Sequence, residues 1–483
     1  MPFKPRIAPC RIVIVAGFLL AMSDLITIKL GYAKEIQIKF GSLGPAGTSV
    51  AVAVETFLDG LQNVGNHIGH TIKIRAYYGG VMGDEPEMNQ KARLGQLDVV
   101  TPTVSTLPEL VPSLEPYYLP FLVENFGEFD YLMRHGFLKA VTTEAYQKGF
   151  VVLGTMTEGM YDMYYRLDSP IHTPEKARGK LKAANWTGTP QDNIWRPLGI
   201  PQVPVSVPEL PTYHKMGVVN ADISPALWVI GVQLYTVRPM LTIVQPSFFT
   251  GGAGALLTRS KFEAIPWDFK IGVVGMLPML MYVANGQLRD SHYAFVDAMV
   301  EYGVKKQTLS ASETKAWKDP LVAYHETYLK NKPSMKKSYD MIRSILADYR
   351  KASSSEKAIY ESDPEYKNFP KKLNAIAQAL KDYIETGSLE KVAALEGERV
   401  IENWRILEPL KAAETLAQTG DASGLKAWTL KFLPDAIVEE AFSKHMDEMK
   451  KLYGSKEAIQ TRAKEWLAYI ESKKYKGYHK GAK

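Results

Sequence analysis

Polar and apolar residues alternate along several short stretches of the first 260 residues, and alternation with a period of two predicts β-strands. Residues 35–40 and 71–77 alternate in this way, and residues 97–100 form a short, mostly apolar run that fits a buried strand. Helical spacing lies between these runs, for example over residues 87–94. The same succession recurs over residues 151–257. This order predicts an α/β fold with a mostly parallel sheet.

The pattern changes after about residue 333, where the strand signals stop. Leu373, Ile376, Leu380 and Ile384 recur at helical spacing, and apolar residues recur in the same way over residues 438–453. Charge is mixed and prolines are few in this part, which argues against a disordered tail. Residues 334–483 are therefore predicted to form an all-helical module that docks on one lobe. Its exposed face is available for self-association or for a transporter subunit, and the alternative is an appendage that only stabilises the fold.

Residues 1–33 have the order of a secretory signal. A positively charged start at residues 4–11 precedes an apolar run at residues 12–22, and small residues stand just before Lys34. The run is shorter than the ~20 apolar residues that a membrane-spanning helix needs. We therefore expect export to the periplasm, with cleavage near Ala33.

Length, charge and cysteine content narrow the class of protein. A chain of 483 residues predicts two or three domains. Its net charge is +6, and residues 1–33 hold four basic residues and one acidic residue, so the remainder carries only +3. This bias is too weak to indicate a nucleic-acid partner. The single cysteine, Cys10, lies in the predicted signal, which excludes disulfides and thiolate metal sites from the mature chain.

Several segments resemble the substrate-binding proteins of TRAP (tripartite ATP-independent periplasmic) transporters. Residues 79–87 resemble the family's turn after its second strand, where a Glu opens a helix, and residues 93–98 resemble its RLGxxD segment. Similar correspondences follow in order through the family's PEL and LPFL loop, the entry to its second lobe and its GVVD segment, at residues 108–122, 169–179 and 198–220. The resemblance covers roughly residues 34–330.

The resemblance implies a two-lobed periplasmic binding protein with a central ligand cleft. Its partners would be a small-molecule ligand and the small and large membrane subunits of a TRAP transporter, and it would be neither an enzyme nor a cofactor protein. The implied organisation is a signal peptide, the first part of lobe 1, lobe 2, a return to lobe 1 with connecting helices, and the helical module, at residues 1–33, 34–158, 159–247, 248–333 and 334–483.

The sequence departs from the family at positions that bind ligand carboxylates. Many members use an Arg in the strand that here contains Ala184, because a planar guanidinium makes two parallel charged hydrogen bonds. A second Arg of the family corresponds to Tyr161, and Ser224 stands where the family has Asn. The residues that bind the ligand carboxylate in many family members are therefore replaced here, which argues against a simple C4-dicarboxylate or sialic-acid ligand.

Aromatic residues stand near these positions, and they suit an apolar or aromatic ring or the face of a cation. We therefore expect a ligand that is aromatic or largely apolar, with or without one acid group. Arg166 is a candidate partner for such an acid group, and Glu87 matches a ligand-contacting Glu of the family. The candidate ligand-binding residues are Glu87, Tyr161, Tyr164, Arg166, Ala184, Asn185, Trp186, Ser224 and Trp228.

Catalytic and cofactor motifs are absent from the sequence. There is no HExxH pair, no GxSxG elbow and no phosphate-binding loop. The Gly-rich run at residues 251–254 lacks dinucleotide-binding spacing and is expected to be a turn where the chain returns to lobe 1. Two alternatives stay open at this point: an exported receptor that serves a membrane sensor, and an exported hydrolase with unrecognised catalytic groups.

Overall fold

The structure is a computed structural model. It describes residues 34–467, apart from positions 47, 49–50, parts of 52–69, 104–105, 186–191, 267–268, 271–287, 290, 362–368, 398–406 and short stretches between 431 and 466. The predicted signal peptide lies outside the described residues. Within the described part, no helix is both long enough and apolar enough to cross a bilayer.

Ten strands form the described sheet. They are β1 Glu35–Gly41, β2 Thr71–Tyr77, β3 Val99–Val100, β4 Phe150–Tyr165, β5 Ala183–Asn185, β6 Gln202–Pro204, β7 Ala221–Pro225, β8 Met240–Ile243, β9 Thr250–Thr258 and β10 Lys305–Thr308. The main path has the order β2-β1-β3-β9-β4-β7-β5-β6, and β8 pairs with both β4 and β10. The strands predicted at residues 35–40 and 71–77 are confirmed.

Strand β4 belongs to both lobes. Its first part, residues 150–160, pairs antiparallel with β9 in lobe 1. Its last part, residues 161–165, pairs antiparallel with β7 and β8 in lobe 2. The pairings among β1, β2 and β3, and those among β5, β6 and β7, are parallel. The sheet is therefore mixed: the outer strands of each lobe pair in parallel, whereas β9 and β4 pair antiparallel with each other and with their neighbours β3, β7 and β8.

The Gly-rich run at residues 251–254 is a strand and not the predicted turn. It lies in β9, whose residues are all buried. Glycine is needed there because a Cβ on Gly251 would overlap the ring of Tyr161 on the neighbouring strand. The chain does return to lobe 1 here, since β9 pairs with β3. The following segment also contributes to lobe 2, because β10 pairs with β8.

The helices with defined bounds fall around and after the sheet. They are α1 Glu85–Arg93, α2 Leu107–Leu110, α3 Phe126–Leu132, α4 Leu138–Gln147, α5 Pro174–Ala177, α6 Asp192–Trp195, α7 Leu210–Lys215, α8 Ala226–Gly231, α9 Arg259–Ala264, α10 Ala311–Asn331, α11 Lys336–Lys351, α12 Ser354–Glu361, α13 Phe369–Thr386, α14 Glu390–Gly397, α15 Leu407–Thr419, α16 Ser423–Thr429 and α17 Asp435–Lys444. Short 3₁₀ or π turns join several of them, at Pro112–Tyr118, Met133–Phe137, Val207–Glu209, Leu234–Thr236 and Pro333–Met335.

Helix α1 shows how local sequence positions the site. The side chain of Asp84 accepts a hydrogen bond from the backbone N–H of Glu85 at 2.8 Å and caps the helix. Pro86 occupies the first turn, where its missing N–H costs nothing. The buried residues Glu85, Met88, Asn89 and Ala92 recur at helical spacing. Glu85 is therefore on the face that points into the protein.

Packing continues across residues 333/334, where a domain boundary was predicted. Helix α11 follows this boundary, yet Tyr339, Ile342 and Leu346 are buried in the same hydrophobic cluster as the helices of lobe 1. The guanidinium of Arg350 donates to both carboxylate oxygens of Glu128 on α3, at 2.7 and 3.0 Å. Helix α11 therefore packs on helix α3 of lobe 1 and contributes apolar side chains to a core that also includes lobe 2 residues such as Ala183 and Ile223.

Helices α13 to α17 form the remaining helical part. Helix α13 spans the predicted apolar stripe, and Leu380 and Tyr383 on it are buried. The side chains of Leu373 and Ile376 lie outside the described part. The Tyr383 hydroxyl donates to Glu414 on α15 at 2.9 Å. This part docks on lobe 1 through Lys139 of α4, whose ammonium donates to the carbonyl of Leu430 at 2.5 Å and pairs with Asp435 at 3.1 Å.

Candidate ligand-binding site

A cavity of about 60 Å³ lies where lobe 1, lobe 2 and β4 meet. Residues 42–44 and Glu85 line it from lobe 1, and Pro225 and Trp228 line it from lobe 2. The lobes also touch beside it, where the backbone N–H of Val207 donates to Asp84 at 3.2 Å. A cavity of this size accommodates a few water molecules.

Glu85 is a buried carboxyl group with one satisfied oxygen and one unsatisfied oxygen. Its Oε2 accepts hydrogen bonds from the N–H and the hydroxyl of Thr103, at 3.1 and 3.0 Å, and from the hydroxyl of Thr106 at 2.6 Å. Its buried Oε1 has no hydrogen-bond partner among the described residues. The pKa of Glu85 is raised to about 8, chiefly by burial and to a smaller extent by the charge of Glu158, against the opposing effect of the hydrogen bonds from Thr106 and Thr103.

A bulge in β4 directs a second carboxylate into the cavity. The register of β4 against β9 shifts between Thr157 and Gly159. Gly159 has φ +111°, and a Cβ on it would lie 2.9 Å from Nδ1 of His292, so only glycine fits. Glu158, between these residues, lines the cavity and accepts a hydrogen bond from the Tyr161 hydroxyl at 3.0 Å.

Aromatic rings form two walls of the cavity. The ring of Tyr161 stacks on Phe249, with ring centroids 4.4 Å apart. Burial raises the pKa of Tyr161 well above 10, and nearby Glu158 adds to the rise, so its hydroxyl stays a hydrogen-bond donor. Trp228 on α8 is half-buried, and its indole N–H has no hydrogen-bond partner among the described residues. Both rings therefore offer apolar surface together with a polar group.

A comparison with a protein-family model identifies the family to which this two-lobed fold belongs. The model for bacterial extracellular solute-binding proteins, family 7, matches residues 40–331, which is well over half of the chain. The chain belongs to this family. The matched region covers the end of β1, all of β2 to β10 and the residues that line the cavity. The predicted resemblance and the predicted two-lobed α/β fold are therefore confirmed.

Named relatives of this family 7 protein match it over shorter stretches. The ectoine-binding periplasmic protein TeaA of Halomonas elongata is 23% identical over 184 residues, which are 38% of this chain and 52% of the relative. A solute-binding protein of Chromohalobacter salexigens is 24% identical over 115 residues, which are 24% of this chain and 34% of the relative. The match thus spans about half of the first relative and about a third of the second.

Solved structures share the two-lobed fold of this family 7 protein. A TRAP periplasmic solute-binding protein from Roseobacter denitrificans, solved with bound β-D-glucuronate, superposes with a TM-score of 0.58 at 18% identity, over 64% of this chain and 99% of that one. The sugar acid binding protein of Advenella mimigardefordensis, in complex with galactonate, gives a TM-score of 0.59 at 16% identity, over 65% and 100%. At these identities the likeness shows the fold alone.

Two of the sequence-predicted residues line the cavity of this family 7 protein, namely Tyr161 and Trp228. Tyr164 and Ala184 are instead buried in the apolar core of lobe 2. Side chains alternate along a strand, so Tyr164 lies on the face of β4 opposite to Tyr161. Asn185, at the end of β5, is buried without lining the cavity.

The polar residues among the candidate ligand-binding residues also lie outside the cavity lining. Ser224 is buried and donates to Asp222 at 2.6 Å, and Asp222 pairs with the buried Arg238. Arg166 is exposed at the end of β4. Glu87 is exposed as well, because it lies two residues beyond Glu85 on α1 and therefore on a different helix face. Trp186 lies outside the described residues.

The residues that sequence reasoning missed are the two carboxylates of the cavity. Glu85 belongs to the recognised segment at residues 79–87, but the motif does not reveal which of its acidic residues faces inward. The sequence does contain a feature that distinguishes Glu158. It is the one charged residue between Phe150 and Tyr161, and it precedes a glycine. A charged residue beside a glycine in an apolar strand indicates a bulge at a functional position. Among the described residues, no cluster of three or more His, Cys, Asp or Glu side chains fits a metal ion.

The raised pKa of Glu85 predicts that this family 7 protein loses stability as pH rises. Below its ordinary pKa of 4.5, Glu85 is protonated in both folded and unfolded chains. Between 4.5 and about 8 the unfolded chain releases the proton and the folded chain keeps it, so unfolding becomes easier. We expect Glu85 to account for a loss of about 2 to 3 kcal/mol between pH 5 and pH 7, at about 1.4 kcal/mol per pH unit.

Urea unfolding of ligand-free wild type and the Glu85→Gln variant at both pH values measures this loss. The variant should lack it, and the exposed control Glu87→Gln should behave like wild type. Equal pH dependence in wild type and Glu85→Gln would contradict the assignment.

Proposed function

We propose that this protein binds a small organic solute between its lobes and delivers it to the small and large membrane subunits of a TRAP-type transporter. The observation that carries the proposal is the cavity itself. It is lined from lobe 1, lobe 2 and the strand β4 that connects them. Closure of two lobes removes a ligand from water and strengthens each polar contact to it.

The lining favours a ligand with an apolar or aromatic body. Met156, Leu227 and Leu288 contribute apolar surface next to Tyr161 and Trp228, beside polar groups that include Glu85, Glu158 and several threonines. Such a lining, with a small number of polar groups that fix orientation, is typical of small-molecule sites. Relatives solved with glucuronate or galactonate hold sugar acids. We propose a less polar solute here, with or without one acid group.

The proposed place of action is the periplasm. It is supported by family membership and by the charged and apolar order of residues 1–33, which favours removal near Ala33. Capture and delivery need no chemical change of the ligand, so the proposed function involves neither a cofactor nor catalysis.

Truncation of Trp228 tests the proposed site. Native mass spectrometry of the mature protein should reveal a bound small molecule, which can be released, identified and titrated back by calorimetry. Trp228→Ala should then weaken binding by about 1 to 3 kcal/mol, because a buried aromatic contact is lost. Trp228→Phe should lose less, since it keeps a ring. If the Trp228→Ala variant folds normally and its Kd is unchanged, Trp228 does not contact the ligand.

A further inference from the structure

The two carboxyl oxygens of Glu85 have different surroundings. Oε2 accepts hydrogen bonds from the backbone N–H and the hydroxyl of Thr103 and from the hydroxyl of Thr106. Oε1 is buried and has no hydrogen-bond partner among the described residues, and Glu85 as a whole is only 3% exposed. Glu85 and Thr103 both line the cavity that the two lobes share. The unpartnered oxygen therefore belongs to a residue that a solute bound in this cavity would contact.

The hydrogen bonds of Glu85 determine which oxygen holds a proton. A backbone N–H can only donate, so Oε2 must accept from Thr103, and a proton is held best on Oε1. The pKa of Glu85 is raised to about 8, chiefly by burial, so the folded protein holds the neutral acid at pH 6. The Oε1–H group is then a buried donor without an acceptor among the described residues.

A buried donor without an acceptor is unfavourable, and a ligand atom that accepts from it removes this cost. Building on the proposed function, we propose that the solute presents an acceptor oxygen, in a carboxylate or carbonyl group, to the Oε1–H of Glu85. The body of the solute lies against Tyr161 and Trp228, which line the same cavity. Glu85 thus selects the solute by donating a hydrogen bond and not by carrying a charge.

The surroundings of Glu85 hold this donor in place before a solute arrives. Thr103 and Thr106 fix the carboxyl group through Oε2, and Asp84 fixes the backbone, because it accepts from the N–H of Glu85 at 2.8 Å. A donor that is already ordered loses little conformational entropy on binding. A solute without an acceptor would leave the Oε1–H buried and unpaired, so the site discriminates against such a molecule.

The opposite direction of hydrogen bonding is the competing arrangement. A proton on Oε2 would donate to the hydroxyl of Thr106, which lies 2.6 Å away, and Oε1 would then accept from an N–H group or a cation of the ligand. That arrangement places the proton on the oxygen that already accepts from the N–H of Thr103. A proton on Oε1 leaves every contact of Oε2 intact, so the geometry favours Glu85 as the donor.

Three probes of the same shape separate these arrangements. Benzoate, benzamide and benzamidine each carry a small planar group on a phenyl ring, and this group offers two acceptor oxygens, one acceptor oxygen or only N–H donors. The mature protein is melted at about pH 6 with each probe at about 10 mM, above the roughly millimolar Kd of a weak ligand. We expect benzoate or benzamide to raise the melting temperature, and the better of the two identifies the acceptor as carboxylate or carbonyl. Benzamidine should have no effect. The proposal is overturned if neither oxygen probe stabilises the protein, or if benzamidine stabilises it as much as the better oxygen probe.

Glu85→Gln keeps a donor at the position of Oε1. Its amide oxygen must take the Oε2 position, where the N–H of Thr103 donates, so its NH2 group takes the other one. We expect Glu85→Gln to weaken the better oxygen probe by about threefold, since an amide is a weaker donor than an acid, and Glu85→Met by at least about tenfold. The exposed control Glu87→Met should bind like wild type. Equal losses in Glu85→Gln and Glu85→Met would show that Glu85 is not the donor.

Infrared spectroscopy detects the proton on Glu85 directly and does not require that Glu85→Met folds. A neutral carboxylic acid has a C=O stretch distinct from that of a carboxylate. The difference spectrum between wild type and Glu85→Gln at about pH 6, below the raised pKa of about 8, should therefore contain the neutral-acid band. This band should shift when the oxygen probe binds. A missing band, or a band that the bound probe does not shift, contradicts the proposal. The proposed function fails separately, if native mass spectrometry finds no small molecule bound to the mature wild-type protein.

Discussion

A mature chain that ends at Pro333 will not fold, whereas one that ends at Glu361 will keep both lobes. The shorter chain lacks α11, whose side chains Tyr339, Ile342, Leu346 and Tyr349 are all buried. Each buried apolar side chain contributes about 1.5 to 3 kcal/mol. Their joint loss is comparable with the whole stability of a typical protein, which is about 5 to 15 kcal/mol.

The longer chain keeps these contacts and also keeps α12. Tyr360 of α12 packs against Tyr131 and Tyr349, with ring centroids 5.1 and 5.9 Å apart. Circular dichroism and thermal melting of both chains measure the difference. A soluble, cooperatively melting protein that ends at Pro333 would restore the sequence-based boundary and show that α11 is dispensable.

Arg238→Met will destabilise the protein by about 3 to 5 kcal/mol, because it leaves Asp222 as an unpaired buried charge. Arg238 is fully buried, and its guanidinium pairs with Asp222 and lies 5.8 Å from the centroid of the Tyr164 ring. Burial lowers the pKa of Arg238 to about 9, so it remains charged at neutral pH. Urea unfolding measures the loss.

The double variant Arg238→Met with Asp222→Asn should recover part of the stability, because it removes both charges together. Lys315→Met is the matched control. It breaks an exposed pair with Asp319 on α10 and should cost less than about 1 kcal/mol. A loss below about 1 kcal/mol in Arg238→Met would mean that the pair is not a closed buried contact.

The local pattern of polar and apolar residues was sufficient to predict the first two strands of lobe 1. The strands at residues 35–40 and 71–77 follow from their alternation, because a half-buried strand must place apolar residues on one face. The same reasoning gave a wrong prediction for residues 251–254. Its glycines indicate a turn when they are considered locally, but they serve a strand that must pass close to Tyr161. That requirement arises from a residue about ninety positions away.

The candidate site was predicted in part. Tyr161 and Trp228 line the cavity, and the segment containing Glu85 was recognised, although Glu87 was chosen within it. The choice depends on which face of α1 packs inward, and the motif does not encode this. Ala184 and Ser224 stand at motif positions, and Tyr164 is an aromatic residue near them. Tyr164 and Ala184 lie in the core of lobe 2 and Ser224 donates to Asp222, because neighbouring residues of a strand face opposite sides.

The sequence by itself determined the α/β class, the order of elements and the family, since these depend on local periodicity and on motifs in a fixed order. The tertiary structure alone decided which charges meet. Glu85 on α1 and Glu158 on β4 line one cavity because β4 crosses both lobes and bulges at Gly159. Arg238 and Arg289 are absent from that cavity because each is paired with another buried carboxylate. Whether a charged residue lines the cavity or forms a buried ion pair depends on residues far away in the sequence, and the order of residues along the chain does not reveal which of them it will contact.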